Sequence, residues 1–485
     1  MSPDPPTYIS SLRNNIRARP IPWDGAVRAG TITEEQLGRI RAVDKVRKEQ
    51  RKRTVEEEVD AYRSLFLGGE GETSILEKAA RRADVVQYVL VLLGDLLEGS
   101  QALVDGLVEH PNTYAPFLPL LAQATTPEEA IPLLTSTALT TLLARDSSTH
   151  PAGRPTSDAA LPILFRYLST LARSSDSGLQ DIAVTGYSAL LRSRRARELF
   201  WESREVTVEP LIAILRTAAG VSATGGGAAA LWGGGASATV GRVGGEGFIN
   251  GGIDLQLLYH VLLVMWQLSF EGVAIGDGLE DEYDVIPLFT QLLRLSPKEK
   301  TTRLLVSTLY NLISANPKSL LPAAALVRLP TLLQNVNGRH PTDPDLIEDL
   351  TALTELLEEH TKTQTTFDQY AAEVDSGHLR WSPPHRNAVF WAENARRILE
   401  QDNGRLPKKL AEIIAKPWDN DKQVLAIVCN DVGCLVKEVP EKRQQLERLG
   451  LKTRIMELMA EPDESVRWES LRAVGEWLRY SFETK

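Results

Sequence analysis

The sequence predicts an all-α fold, a HEAT/armadillo-like helical solenoid in two domains. Three observations carry that expectation. Apolar residues recur at i, i+3, i+4 and i+7 through most of the 485 residues, and alternating strand patterns are scarce. Prolines (Pro111, Pro151, Pro155, Pro297, Pro341, Pro344) fall between the apolar runs, where a residue without an N–H begins or separates helices. Similar apolar helices recur near Leu255, Thr301 and Leu346, 46 and 45 residues apart, and a later pair near Asp421 and Glu464 is 43 apart. Armadillo and HEAT arrays have that period, each unit burying one face on its neighbour.

Taken in order, the first conspicuous element is the basic run Lys45–Arg53, followed by Glu56, Glu57 and Glu58. This reads as a long exposed helix laced with i, i+4 ion pairs, or as a contact for an acidic partner protein. Val85–Leu97, Ile182–Leu191, Leu304–Ile313 and Leu346–Leu357 are helical stripes. Residues 220–252 are a glycine-rich insert, expected as a surface loop; lacking G-x-x-x-x-G-K-[ST] and a preceding strand, it is no phosphate loop. The polar run Thr361–Thr366 interrupts the repeat, which places a boundary between residues 1–362 and 363–485 and makes the run a candidate hinge. Beyond it comes a domain-entry motif of Trp381, Ser382, Pro383, His385, Phe390 and Trp391. Ser382 is expected to cap a helix that Pro383 or Pro384 begins, and the three aromatic side chains to anchor that helix against the array.

Composition narrows the function. With 54 Lys+Arg against 64 Asp+Glu the net charge is −10, which argues against a nucleic-acid partner. Two cysteines cannot build a disulfide framework and suit a reducing compartment. Cys429 and Cys434, five apart on one helix, point too far apart to share a zinc ion and read as structural. The start lacks a signal-length apolar core and the apolar run Leu257–Phe270 is too short to span a bilayer, so a cytosolic protein is expected. The seven histidines lack ligand spacing, and the acidic clusters Glu56–Glu58, Glu280–Glu282 and Glu358–Glu359 read as solvated faces. No catalytic residue, cofactor site or metal site is expected.

The stretch FDQYAAEVDSGHLRWSPPHRNAVFWAEN (Phe367–Asn394) resembles the H subunit of the vacuolar-type proton-pumping ATPase. Val424–Pro440, Met456–Val474 and Ile21–Lys45 add to the likeness, while the glycine-rich insert departs from the family's usual length. The resemblance implies a non-catalytic regulatory subunit of an ATP-driven proton pump, peripheral on the cytoplasmic face of vacuole or endosome membranes and attached only through the complex. It implies that the N-terminal array clasps peripheral-stalk subunits E and G, and that the C-terminal domain contacts the cytosolic part of subunit a. When the catalytic sector detaches, that domain would bridge to the rotor and silence hydrolysis. The loop Lys416–Lys422 resembles the family's inhibitory loop in position, making Trp418, Asp419, Asn420 and Asp421 candidate partner-binding residues; Trp418 is either an exposed hot spot or packing for its own loop. The rival is a general armadillo-type protein-binding adaptor, against which stands the lack of a repeated Asn and Trp ladder.

Overall fold

The computed structural model describes residues 7–69, 73–122, 126, 128–221, 253–296, 298–363, 366–418 and 421–483. Every regular element among them is a helix, as the apolar spacing predicts. The glycine-rich insert, from residue 222 to 252, lies outside the described residues. Two compact units emerge: Met1–Leu215 with Val243–Glu271, and Arg216–Arg242 with Gly272–Lys485. The boundary expected near residue 362 falls inside the second unit.

In the first unit, consecutive inner helices begin at Ala83, Ala130 and Ser177, an even spacing that continues the repeat towards the N-terminus. Ala83–Gly99 packs on Ala130–Thr149, which packs on Pro155–Ala172 and Ser177–Leu190; the last meets Leu255–Ser269. Leu90, Leu93, Leu139, Leu143, Leu164 and Val184 are buried along this stack. Polar side chains stitch its layers: Tyr114 donates to Asp146 Oδ2 at 2.7 Å, and His260 Nδ1 lies 2.6 Å from Asp181 Oδ1.

The basic run departs from expectation. Helix Glu34–Val43 ends before it, Lys45 takes φ +54°, and a new helix runs from Lys48 to Glu57. Arg51 turns inward, donating to Val43 O at 3.1 Å and to Asp95 Oδ2 at 3.2 Å. Only part of the run is therefore a solvated face, with Lys52 and Glu56 as its i, i+4 pair at 3.8 Å.

In the second unit, Glu299–Ala315 lies against Pro344–Thr363, one repeat further on. Thr363 ends that helix and Thr366 begins the next, with residues 364 and 365 of the polar run outside the described set. Lys422–Glu438 is the axis of the C-terminal helices, buried from Val424 to Gly433 and again at Leu435 and Val436. Glu464–Glu483 lies along it so closely that a Cβ on Gly433 would stand 3.1 Å from Ala473 Cα. Glycine is required there by packing rather than by backbone angle.

Candidate functional site

The entry motif sits over the buried middle of Lys422–Glu438. Helix Thr366–Ser376 stops at Gly377, whose φ of +76° turns the chain back. Arg380 N and Ser382 Oγ then both donate to Glu373, at 2.5 and 2.6 Å. Ser382 thus occupies the N-cap position of Pro383–Arg386 without capping it. The buried carboxylate of Glu373 draws its hydroxyl away, and Asn387 is the side chain that caps the longer helix Ala388–Glu400, accepting from Val389 N and Phe390 N. Pro383 and Pro384 do open the short helix. Phe390 and Trp391 are buried with Tyr370, Ile398, Leu425 and Val432, so they anchor their helix in the C-terminal core rather than against the array. Trp381 is partly buried against the same core, with the Arg386 guanidinium 3.7 Å over its ring.

His385 is the centre. Its Nδ1 lies 2.8 Å from Asp431 Oδ1 and its Nε2 lies 3.2 Å from Glu373 Oε1, and all three side chains are sealed from solvent. Burial opposes a charged ring, but Asp431 and Glu373 outweigh it and push the histidine up to about 10. Burial raises Asp431 in turn, against the pull of His385. Asn430 donates to His385 O and to Asp431 Oδ1, both at 2.9 Å, and accepts from Arg472 of the last helix. Trp391 Nε1 donates to His385 O at 3.3 Å. One imidazolium between two carboxylates thus ties three helices together, and the bonds from Trp391 and Arg472 bring in two more. Sequence reasoning names His385 but neither Glu373 nor Asp431. Sealed from solvent and paired within itself, the group holds these elements in place.

The candidate partner loop is less open than expected. Trp418 is half-buried: its Nε1 donates to Ile413 O at 2.7 Å and its ring stands edge-on to His378, 6.3 Å between centroids. Asp419 and Asn420 lie outside the described residues. Asp421 is half-buried beside Arg380, its carboxyl raised by burial against the pull of that arginine.

A cleft of about 800 Å³ opens nearby within the second unit. Asp277, Glu280 and Asp284 line one wall, and Arg405, Lys409 and Lys416 are among the groups opposite. Glu280 corrects the solvated-face expectation: its Oε1 is sealed, its Oε2 accepts from Ile286 N at 2.8 Å, and burial lifts it to about 8. Burial likewise pushes the thiols of Cys429 and Cys434 up to about 12, where they are poor nucleophiles and ligands. Among the described residues no cluster of His, Cys, Asp and Glu could hold a metal ion, and no helix is long and apolar enough to cross a membrane.

Helix stacked on helix at a repeat in the middle forties places this protein in the class of HEAT/armadillo-like repeat scaffolds. Within that class the chain belongs to the family of V-ATPase H subunits, whose N-terminal model matches residues 7–357 and whose C-terminal model matches 363–482. It is 26% identical over 479 residues to the H subunit of the V-type proton ATPase of Drosophila melanogaster, covering 97% of this chain and 89% of that protein. A probable counterpart from Oryza sativa subsp. japonica is 25% identical, over 95% of this chain and 94% of its own length. The first of two probable V-type proton ATPase H subunits from Caenorhabditis elegans is 35% identical over 223 residues, which is 45% of this chain and about half (48%) of the relative.

Proposed function

We propose that this chain is a non-catalytic regulatory subunit of the vacuolar-type proton pump, steadying the stator connection in the assembled enzyme and inhibiting hydrolysis by the detached catalytic sector. The observation that carries the reading is the succession of two family matches, N-terminal then C-terminal, meeting at the polar run after residue 357. On this reading residues 1–362 grip peripheral-stalk subunits E and G, and 363–485 act as a second domain that exchanges subunit a for the catalytic sector and rotor. A brake of this kind requires two docked states of similar free energy, which assembly shifts. The protein would work at the cytoplasmic face of vacuole or endosome membranes, held there by its partners.

The loop Lys416–Lys422 is the proposed inhibitory contact. Trp418 fixes its base through Ile413, and Lys416 and Pro417 are exposed. The test adds the purified full chain to the detached ATP-hydrolysing sector. Hydrolysis should fall; binding without any fall would remove the inhibitory part of the proposal. Trp418→Ala should weaken inhibition more than binding, and Lys416→Glu, which leaves the tryptophan seated, should do the same to a smaller degree. Equal loss of binding and inhibition would take the loop off the contact.

A further inference from the structure

The buried apolar side chains of the C-terminal helices, from Phe367 to Trp477, pack on one another as a core of their own. Among the described residues the main contact between these helices and residues 272–363 is one pair, Pro317–Leu326 on Thr366–Ser376. Two clefts, of about 800 and 460 Å³, open into that seam and share Pro322, Ala372 and His378 as walls. Protein interiors are close-packed, so a seam with this much open volume resembles the contact between two bodies that move.

A charged contact reaches across it. Asp284 Oδ1 lies 3.6 Å from His378 Nε2, their side chains 21% and 18% exposed. Both ends are arranged for this. Asp284 is the N-cap residue of Val285–Leu295, yet its side chain does not cap; Glu280 takes the Ile286 N–H instead. Asp284 also holds φ +53°, a left-handed backbone that is costly for a residue other than glycine. On the other side Gly377 turns the chain at φ +76°, and Ser376 Oγ accepts from His378 N at 3.1 Å. His378 in turn backs the loop. Trp418, whose indole is tied to Ile413 O, stands edge-on to the imidazole, and Asp421 lies in the field of Arg380 and His378. Lys416 lines the same cleft as Asp284 and His378.

We infer that Asp284 and His378 form a latch that couples the seam to the loop. While the pair is made, His378 is seated against Trp418 and the base of the loop is held. When the C-terminal helices swing on the contact made by Thr366–Ser376, the pair breaks and the loop is released. The pair suits this use. Long and partly in water, it is weak, as a contact must be when two docked states have similar free energies. The sealed pair of His385 with Asp431 lies wholly within the C-terminal core and moves with it. What the released loop then touches rests on the proposed function, while the latch belongs to the chain alone.

The test is amide exchange in the full chain, read at Trp418 and at Lys416, whose N–H is bonded to Ile413 O at 3.2 Å. Asp284→Asn removes the charge and keeps a side chain that tolerates the left-handed backbone. It should speed exchange at both positions at least threefold. His378→Gln should do the same, and the double variant should be no faster than His378→Gln alone. Exchange within Lys422–Glu438 should stay at the parent value, which separates release of the loop from unfolding. Asp281→Asn, which removes an exposed acid from the same cleft wall, should change nothing. Unchanged exchange at Lys416 in both single variants would overturn the inference, as would equal acceleration by Asp281→Asn. The detached catalytic sector then tells latch from brake. Asp284→Asn should inhibit its hydrolysis more strongly than the parent chain does; faster exchange with unaltered inhibition would leave the latch standing and remove the loop from the braking contact.

Discussion

Glu280 and Asp431 are both carboxyls drawn out of water in the second unit, and they meet opposite treatment. Asp431 faces an imidazolium, two side-chain amide and hydroxyl donors, and a second carboxylate that shares the same cation. Glu280 faces one backbone N–H and two further acids, Asp281 and Asp284. Burial alone pushes both towards the neutral form. The difference is whether the fold supplies a positive partner. In the first case the charge is retained and becomes a clamp between helices. In the second the cheapest answer is a proton, and the group becomes sensitive to pH. Depth of burial is therefore a poor guide to what a buried acid does; its neighbours decide.

His385→Ala is the largest break in that comparison. It leaves Asp431 and Glu373 facing each other without a cation, at an expected cost of about 3–5 kcal/mol. Amide exchange along Lys422–Glu438 should accelerate accordingly. The pH dependence has a definite sign. The histidine holds its proton to about 10 when folded and to about 6.5 when unfolded, so its contribution is complete below about pH 6.5 and is lost as pH rises towards 10. The exchange protection of this helix should fall across that window in the parent chain and should lose that trend in the variant. A parent chain flat from pH 6.5 to 10 would show that the ring is neutral.

Glu280→Gln should act the other way. The native carboxyl titrates near 8 against about 4.3 in an unfolded chain, so its penalty is absent below pH 4, grows between those values and is full above pH 8. Glutamine keeps an acceptor for Ile286 N and carries no charge. The variant should match the parent at pH 4 and gain about 1–2 kcal/mol at pH 9, less than the full shift implies because the side chain is only half-buried. Denaturant melts at the two pH values measure it. A loss of stability at pH 9 would mean that the charge is used, for example by the lysines across the cleft.

How much of this is legible in the sequence depends on range. Ala83–Gly99 and Lys422–Glu438 carry their own apolar stripes and can be read in place. The repeat starting at Ala83, Ala130 and Ser177 cannot, because Ala130–Thr149 scatters Thr and Ser among leucines buried on several sides and shows no single stripe. At Ser382 the local rule gives the right position and the wrong partner, since Gly377 brings Glu373 back within reach of the hydroxyl. The His385–Asp431 contact joins residues 46 apart, and no spacing rule covers it. Glu280 lies in an acidic run that reads as solvent-facing until the turn at Asp284 folds Ile286 over it. Periodicity along one helix survives in a sequence, while charge pairing between helices does not.

Tyr370→Phe is the smallest and sharpest of these tests. The tyrosine is fully buried, its hydroxyl donates to Asp431 Oδ2 at 3.3 Å, and burial raises its own pKa well above the ordinary value. That bond is long, and it is neutral on the donor side, so removing it should cost about 0.5–1.5 kcal/mol. Phenylalanine keeps the ring contacts with Phe390 and Trp391, at 5.3 and 5.4 Å between centroids, so packing is held constant. If the imidazolium is what satisfies Asp431, the variant keeps the alkaline loss of stability seen in the parent, merely displaced downward. If the hydroxyl shares that task, Asp431 takes its proton more readily, His385 loses part of its partner, and the fall in protection begins at lower pH. The two outcomes separate a cluster governed by one charge from one governed by several hydrogen bonds, and the geometry, with both Asp431 oxygens within 2.9 Å of His385 Nδ1, favours the first.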